Sequence, residues 1–142
     1  MPITPVMCNS FKKELLQGLH DMDGHTFKIA LIKASPTGTF GAATTNYSDL
    51  STDEASGTGY TAGGQTLGGV TVDLDGSTAY VDFENEVFTS ATISEDGCLI
   101  YNTSASNKAV AVFDFSQAVS STFGDFTVVF PTTDESNAIS CI

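Results

Sequence analysis

Side chains able to do chemistry are few in this chain, and none falls into a complete catalytic or metal-binding pattern. The two histidines, His20 and His25, lie five residues apart beside a short polar cluster containing Asp21 and Asp23. A histidine acts as a general base or nucleophile partner when a Ser or Cys stands within hydrogen-bond reach. Neither a G-x-S-x-G elbow nor a neighbouring Cys accompanies these two, so they read as side chains of a polar turn. Asp73, Asp75 and Gly76 resemble the middle of a calcium loop. The first ligand position would then be Thr71 and the twelfth Asp82 rather than Glu, which leaves the ligand set incomplete.

Gly57, Gly59 and Ala62 fit the loose G-x-G-x-x-[GA] pattern. A dinucleotide site needs a strand before it and a helix after it, and here a polar stretch precedes and Gly63-Gly64 follows. Glu84 and Glu86 would share one face of a strand, roughly 7 Å apart, a spacing too common to mark a glycosidase pair. Cys8, Cys98 and Cys141 form neither a metal knuckle nor a redox pair. An odd count fits free thiols, with Cys98 buried and a Cys8–Cys141 pairing as the alternative. These residues imply no catalytic residue, cofactor or metal, and a structural or binding component rather than an enzyme.

Bulk properties agree. The chain has 142 residues, suited to one domain that buries its own core. It carries 17 acids against five lysines and no Arg, for a net charge of −12. Four of the lysines lie within the first 33 residues, and Lys108 stands alone among the acids that follow. Such a surface repels phosphate backbones, which argues against direct nucleic-acid binding. No apolar run approaches the roughly 18 residues of a membrane span, and Met1–Met7 is too short for a leader. The expectation is a soluble protein made in the cytosol, with no membrane partner.

The elements that would position these residues are mostly strands. A short helix is predicted over 11–19, capped by Asn9 or Ser10, with Phe11, Leu15, Leu16 and Leu19 as its apolar stripe. Residues 1–8 hold Pro2 and Pro5 and predict an extended arm. Residues 34–58 are rich in Ser, Thr, Gly and Ala and predict a long polar loop. Strands are predicted over 27–33, 70–74, 78–84, 87–94, 98–102, 109–115, 123–130 and 138–142. The Asp75-Gly76 turn, of type I′, joins the second and third, and a turn at Glu95-Asp96-Gly97 separates the fourth and fifth. No helical pattern recurs between strands, which excludes parallel βαβ units. The fold class is therefore mostly β: a single antiparallel β-sandwich domain over 1–142, jelly-roll-like, with one short N-terminal helix.

Six stretches, spread over nearly the whole chain, carry a resemblance to a known family. They are 9–16 (NSFKKELL), 27–31 (FKIAL), 57–64 (GTGYTAGG), 79–83 (AYVDF), 99–102 (LIYN) and 109–115 (AVAVFDF). Together they resemble a family of small tailed-bacteriophage virion structural proteins. This chain has Phe88 before Ser90-Ala91-Thr92, where such proteins tend to carry Trp. The resemblance implies a decoration (cement) protein on the capsid surface of the virion, a homotrimer whose partner is the major capsid protein. A tail, baseplate or fibre component is the alternative. A carbohydrate-binding module ranks below both, because the chain has no Trp to stack on sugars. The expected partner interface is the proline-stiffened arm and the basic start of the helix: Pro2, Ile3, Pro5, Val6, Met7, Lys12 and Lys13. An apolar, basic end is the part of an acidic chain best able to approach another acidic surface.

Overall fold

The computed structural model describes residues 3–130 and the backbone of residues 139–141. Its elements are β1 (Val6–Met7), α1 (Asn9–Leu16), β2 (Phe27–Lys33), β3 (Gln65–Thr66), β4 (Thr71–Asp75), β5 (Thr78–Asp82), β6 (Glu86–Asn102), β7 (Lys108–Val128) and β8 (Ile139–Cys141). All named strand pairs are antiparallel, in a five-stranded sheet of order β1-β7-β6-β2-β3 and a three-stranded sheet of order β4-β5-β8. The result is the predicted mostly-β, sandwich-like fold. Five strands and three replace the four and four of a symmetrical jelly roll.

β2 occupies its predicted span, and its alternation explains its place. Phe27, Ile29 and Leu31 are buried on one face while Ala30 and Ile32 are buried on the other. A strand apolar on both faces belongs inside a sheet, and β2 lies between β6 and β3. The hairpin of β4 and β5 keeps the predicted register, Val72 opposite Val81 and Leu74 opposite Ala79. Its loop is Gly76-Ser77, with positive φ at Gly76 alone. That is the signature of a type II′ turn rather than the predicted type I′.

The predicted turn at Glu95-Asp96-Gly97 is absent, and two further predicted strands are also continuous. Residues 87–94 and 98–102 join into the single strand β6, and 109–115 and 123–130 join into β7. The Glu95-Asp96-Gly97 stretch stays in the ladder, with a bulge. Between Glu95↔Val119 and Gly97↔Asp114, β7 advances five residues while β6 advances two. Such an insertion creases a ribbon. Phe115 and Phe126 would be roughly 37 Å apart along a straight strand, yet their ring centroids are 6.1 Å apart. Phe113 and Phe130 meet in the same way at 6.5 Å. The outer half of the β6–β7 ribbon therefore doubles back over the inner half, and this fold-over closes much of the aromatic core.

The N-terminal segment is extended, as predicted, but much of it is spent inside the domain. Val6 and Met7 pair with Val112 and Ala111 of β7. Ile3 bridges Phe40 and is buried. Its Cδ1 lies over Gly97, where a Cβ would crowd it at 3.0 Å. The missing side chain of Gly97 thus makes the niche that Ile3 fills. Residues 34–58 likewise do not form a structureless loop. Asn46 and Asp49 form a reciprocal capping box over a 3-10 segment, Tyr47–Asp53, and Leu50 and Ala55 enter the core.

Candidate functional site

The helix buries an unexpected face. The residues of α1 that face inward are Phe11 and Glu14, while Leu16 is 86% exposed and Leu19 is partly exposed. Burial of Glu14 follows from its partners. His20 Nε2 donates to Glu14 Oε2 at 2.7 Å, and Lys108 Nζ lies 3.6 Å from Glu14 Oε1. Asn102 Nδ2 donates to Nδ1 of both His20 and His25 at 3.0 Å, which fixes the His20 hydrogen on Nε2. Asn102 Oδ1 accepts from Ser104 N at 3.0 Å, so the amide is fully used. The ring of His20 packs edge-on against Phe11, 4.8 Å between centroids. Cys8, and neither Asn9 nor Ser10, occupies the N-cap.

A histidine backed by a carboxylate is the arrangement that prepares a general base. Here both ring nitrogens are occupied and the His20 side chain has no exposed surface. The cluster clamps α1 and the 18–25 turn onto the β6–β7 corner. Cys8 donates to Gly41 O at 3.8 Å. Burial, then the carboxylates of Asp49 and Glu14, push its thiol up to about 12, and burial pushes Cys98 up to about 12. Neither is a nucleophile at neutral pH. The Cys8–Cys141 alternative lies outside the described side chains.

A second polar cluster holds the glycine-rich stretch. Glu54 accepts from Tyr47 Oη at 2.6 Å, Tyr60 Oη at 2.7 Å and Gly63 N at 2.6 Å. Tyr101 Oη donates to Gly63 O at 2.5 Å, and Tyr60 Oη accepts from Leu31 N at 3.0 Å. Tyr47 stacks on Tyr101 with centroids 4.6 Å apart. Burial raises all three phenols above their ordinary range, Tyr101 to about 12, and Glu54 adds to the effect. Gly57 to Gly64 is thereby strapped across β2 and β6, with Thr58 bridging Thr92. Gly64, at φ 73, sits directly against the Ile29 carbonyl. The glycines let backbone approach backbone, and no phosphate cradle is formed.

Asp53 pins the other end of this region. It accepts from Thr37 N at 3.0 Å, Gly38 N at 2.7 Å and Lys33 Nζ at 2.9 Å. Burial alone would raise its pKa, but the Thr37 amide, Lys33 and the Gly38 amide outweigh it and lower the carboxyl to about 2. Asp73, Asp75 and Asp82 are spread along the β4–β5 hairpin, Asp82 paired with Thr71 at its base. Among the described residues no group of three or more His, Cys, Asp or Glu could hold a metal ion. A cleft of about 420 Å³ lies in the crease of β7, lined by Phe115, Val119, Ser121, Asp125, Phe126 and Val128. Its one carboxylate, Asp125, accepts Ser90 N at 3.0 Å, and no second charged group faces it.

The chain matches no protein-family model, no curated protein and no solved structure. Function must therefore be argued from surfaces. Of the expected interface residues, Ile3 is buried and so closed to any partner, and Val6 and Met7 are half-buried in β1. Pro5, Lys12 and Lys13 are exposed, and Pro2 lies outside the described residues. Exposed apolar side chains stand elsewhere: Leu16 on α1, Val72 and Leu74 on β4, and Val87, Val119, Phe123 and Val129 on the ribbon. Sequence reading also missed Glu95, which is fully buried with both carboxylate oxygens unpartnered. The period of two through Ala91, Ile93 and Glu95 carried that signal. Among the described residues, no helix is long and apolar enough to cross a membrane.

Proposed function

We propose that the chain is a virion structural protein of a tailed phage, a decoration protein that binds the major capsid shell as a homotrimer. The phage assignment rests on the six sequence stretches that resemble that family. The structural observation that supports an assembly role is the placement of apolar side chains on open sheet edges. β7 has β1 as its outer neighbour only at Ala111 and Val112, so Phe113–Val128 presents an edge with no strand paired to it among the described residues. Phe123 is 79% exposed beside that edge. Open edges carrying apolar groups gain by pairing with another chain.

The test is to add purified protein to particles that lack it and image them. Density at regular lattice positions, in proportion to the major capsid protein, is the expected result. Copies confined to the tail would move the protein there, and no binding to any part of the particle would overturn the virion reading.

A further inference from the structure

We infer that Asp75-Gly76, at the tip of the β4–β5 hairpin, is the site at which the folded chain converts an aspartyl linkage to an isoaspartyl one. The modification is spontaneous and is independent of the assembly role proposed above. The amide nitrogen of the glycine attacks the side-chain carboxyl carbon of the aspartate. A C–N bond forms, a carboxyl C–O bond breaks, and the amide proton leaves with that oxygen as water. The product is a five-membered succinimide. Water then adds back at one of its two carbonyls. Opening at the main-chain carbonyl leaves the chain running through the former side chain, one methylene longer, with the old main-chain carbonyl released as a carboxylate. Water is the sole co-reactant. Glycine favours the step because no Cβ shields its nitrogen.

The chain holds three Asp-Gly pairs, Asp23-Gly24, Asp75-Gly76 and Asp96-Gly97, and the structure separates them. Gly97 is buried within β6, paired with Ile32 on one side and Asp114 on the other. Ile3 and the Phe113 carbonyl close over it, and Asp96 Oδ2 accepts from Ser35 N at 2.8 Å. Neither the nitrogen nor the carboxyl can swing towards the other without opening the sheet. Asp23-Gly24 is exposed but tied. Gly24 N donates to Asp21 Oδ1 at 3.0 Å, and Asp23 N donates to the same oxygen at 3.2 Å. The Asp21 carboxylate also fills the space that a Cβ on Gly24 would take.

Asp75-Gly76 differs on each count. Asp75 pairs with Thr78, and Gly76 opens the two-residue loop between them. In such a loop the last ladder bonds join the flanking residues, which leaves the Gly76 amide outside the ladder. Asp75, Gly76 and Ser77 are all exposed, and nothing lies within 4 Å of the place a Cβ on Gly76 would occupy. Asp75 has a contact of its own, but exposed side chains exchange partners within nanoseconds, far faster than the ring closes. β4 is also the edge strand of its sheet, with every residue exposed, so the hairpin tip can open without disturbing the core. The two-residue loop sets the hairpin register. An added methylene beside Gly76 therefore breaks the Asp75–Thr78 pair first.

The test compares folded protein with the guanidinium-unfolded chain, both aged at neutral pH and body temperature. Isoaspartyl groups are then labelled with an isoaspartyl-specific carboxyl methyltransferase and a radioactive methyl donor, and located by peptide mapping. In the unfolded chain all three Asp-Gly pairs should label at comparable rates. In the folded protein residue 75 should still label, while residues 23 and 96 fall at least about tenfold below their unfolded rates, the protection that local structure confers. Equal labelling at the three sites of the folded protein, or none at residue 75, overturns the inference. Asp75→Glu keeps the charge but would have to close a six-membered ring, which forms far more slowly. The folded variant should lose the main label and keep its melting temperature; a label undiminished by this substitution would place the modification elsewhere and overturn the assignment.

Discussion

Replacing Glu95 should stabilise the protein, and more so at high pH. Its neighbours across the ladder are Lys33 on β2 and Val119 on β7. The Lys33 ammonium is turned to Asp53 and the Thr52 carbonyl, so it does not neutralise Glu95. Burial without a partner raises the Glu95 pKa from 4.5 to about 7. Below pH 4.5 the folded and unfolded states both hold the proton, and the fold suffers no ionisation penalty. Between 4.5 and about 7 only the unfolded state ionises, so this residue's contribution to stability falls as pH rises. Above about 7 both states are ionised and the penalty is constant. At about 1.4 kcal/mol per unit, the penalty reaches at most about 3 kcal/mol. For a domain of this size that is roughly 10 °C in melting temperature. Glu95→Met keeps the volume and removes the charge. Thermal unfolding of both proteins at pH 4 and pH 8 should show the variant's advantage widening by that amount. A gap that is the same at both pH values would refute the reasoning.

Asp53→Ala should cost about 2–3 kcal/mol in a denaturant titration, since it strips two backbone amides and a half-exposed lysine of a buried charged acceptor. Its depressed pKa means that the parent protein loses this stabilisation as pH falls from about 3.8 towards about 2, and the Ala variant should lack that segment of the acid-unfolding curve. Ile3→Ala should lower stability by about 2–4 kcal/mol, because the side chain is fully used over Gly97; an unchanged melting temperature would show the N-terminal segment to be dispensable. Gly64→Ala should prevent folding or shift the denaturant midpoint by several kcal/mol, as its Cβ would collide with the Ile29 carbonyl at a φ that L-residues avoid.

Local pattern made the strands legible where one face or both had to be apolar. β2 and the β4–β5 hairpin follow directly from alternation, and α1 from its helical spacing of apolar residues rather than from its predicted cap. What misled was turn chemistry overruled by neighbours. Glu95-Asp96-Gly97 has the composition of a turn, but Ser35 N donates to Asp96 at 2.8 Å and Ile3 occupies the space over Gly97, so the strand runs on. Ser116 takes a positive φ at the crease, a conformation that sequence would assign to Gly or Asn. The buried face of α1 was hidden for a related reason. Glu14 is inward because His20, in the turn after the helix, donates to it and Lys108, distant in sequence, lies beside it. The convergence of Tyr47 and Tyr60 on Glu54, with Tyr101 on the adjoining Gly63 carbonyl, depends on a loop path that no local pattern encodes.

Pairing of β1 with β7 also sets an order of events during synthesis. Val6 leaves the ribosome early, but its ladder partner is Val112. At about 5–20 residues per second, β1 and Ile3 wait on the order of 5–20 s for their strand to exist. Through that interval this apolar stretch has no ladder partner. The β6–β7 hairpin, whose strands meet across a short corner, can zip as soon as it emerges, so residues made well before it are fastened after it. A fusion partner placed at the N-terminus would slow that final docking step, whereas the same partner at an exposed loop such as Gly76-Ser77 would leave it untouched.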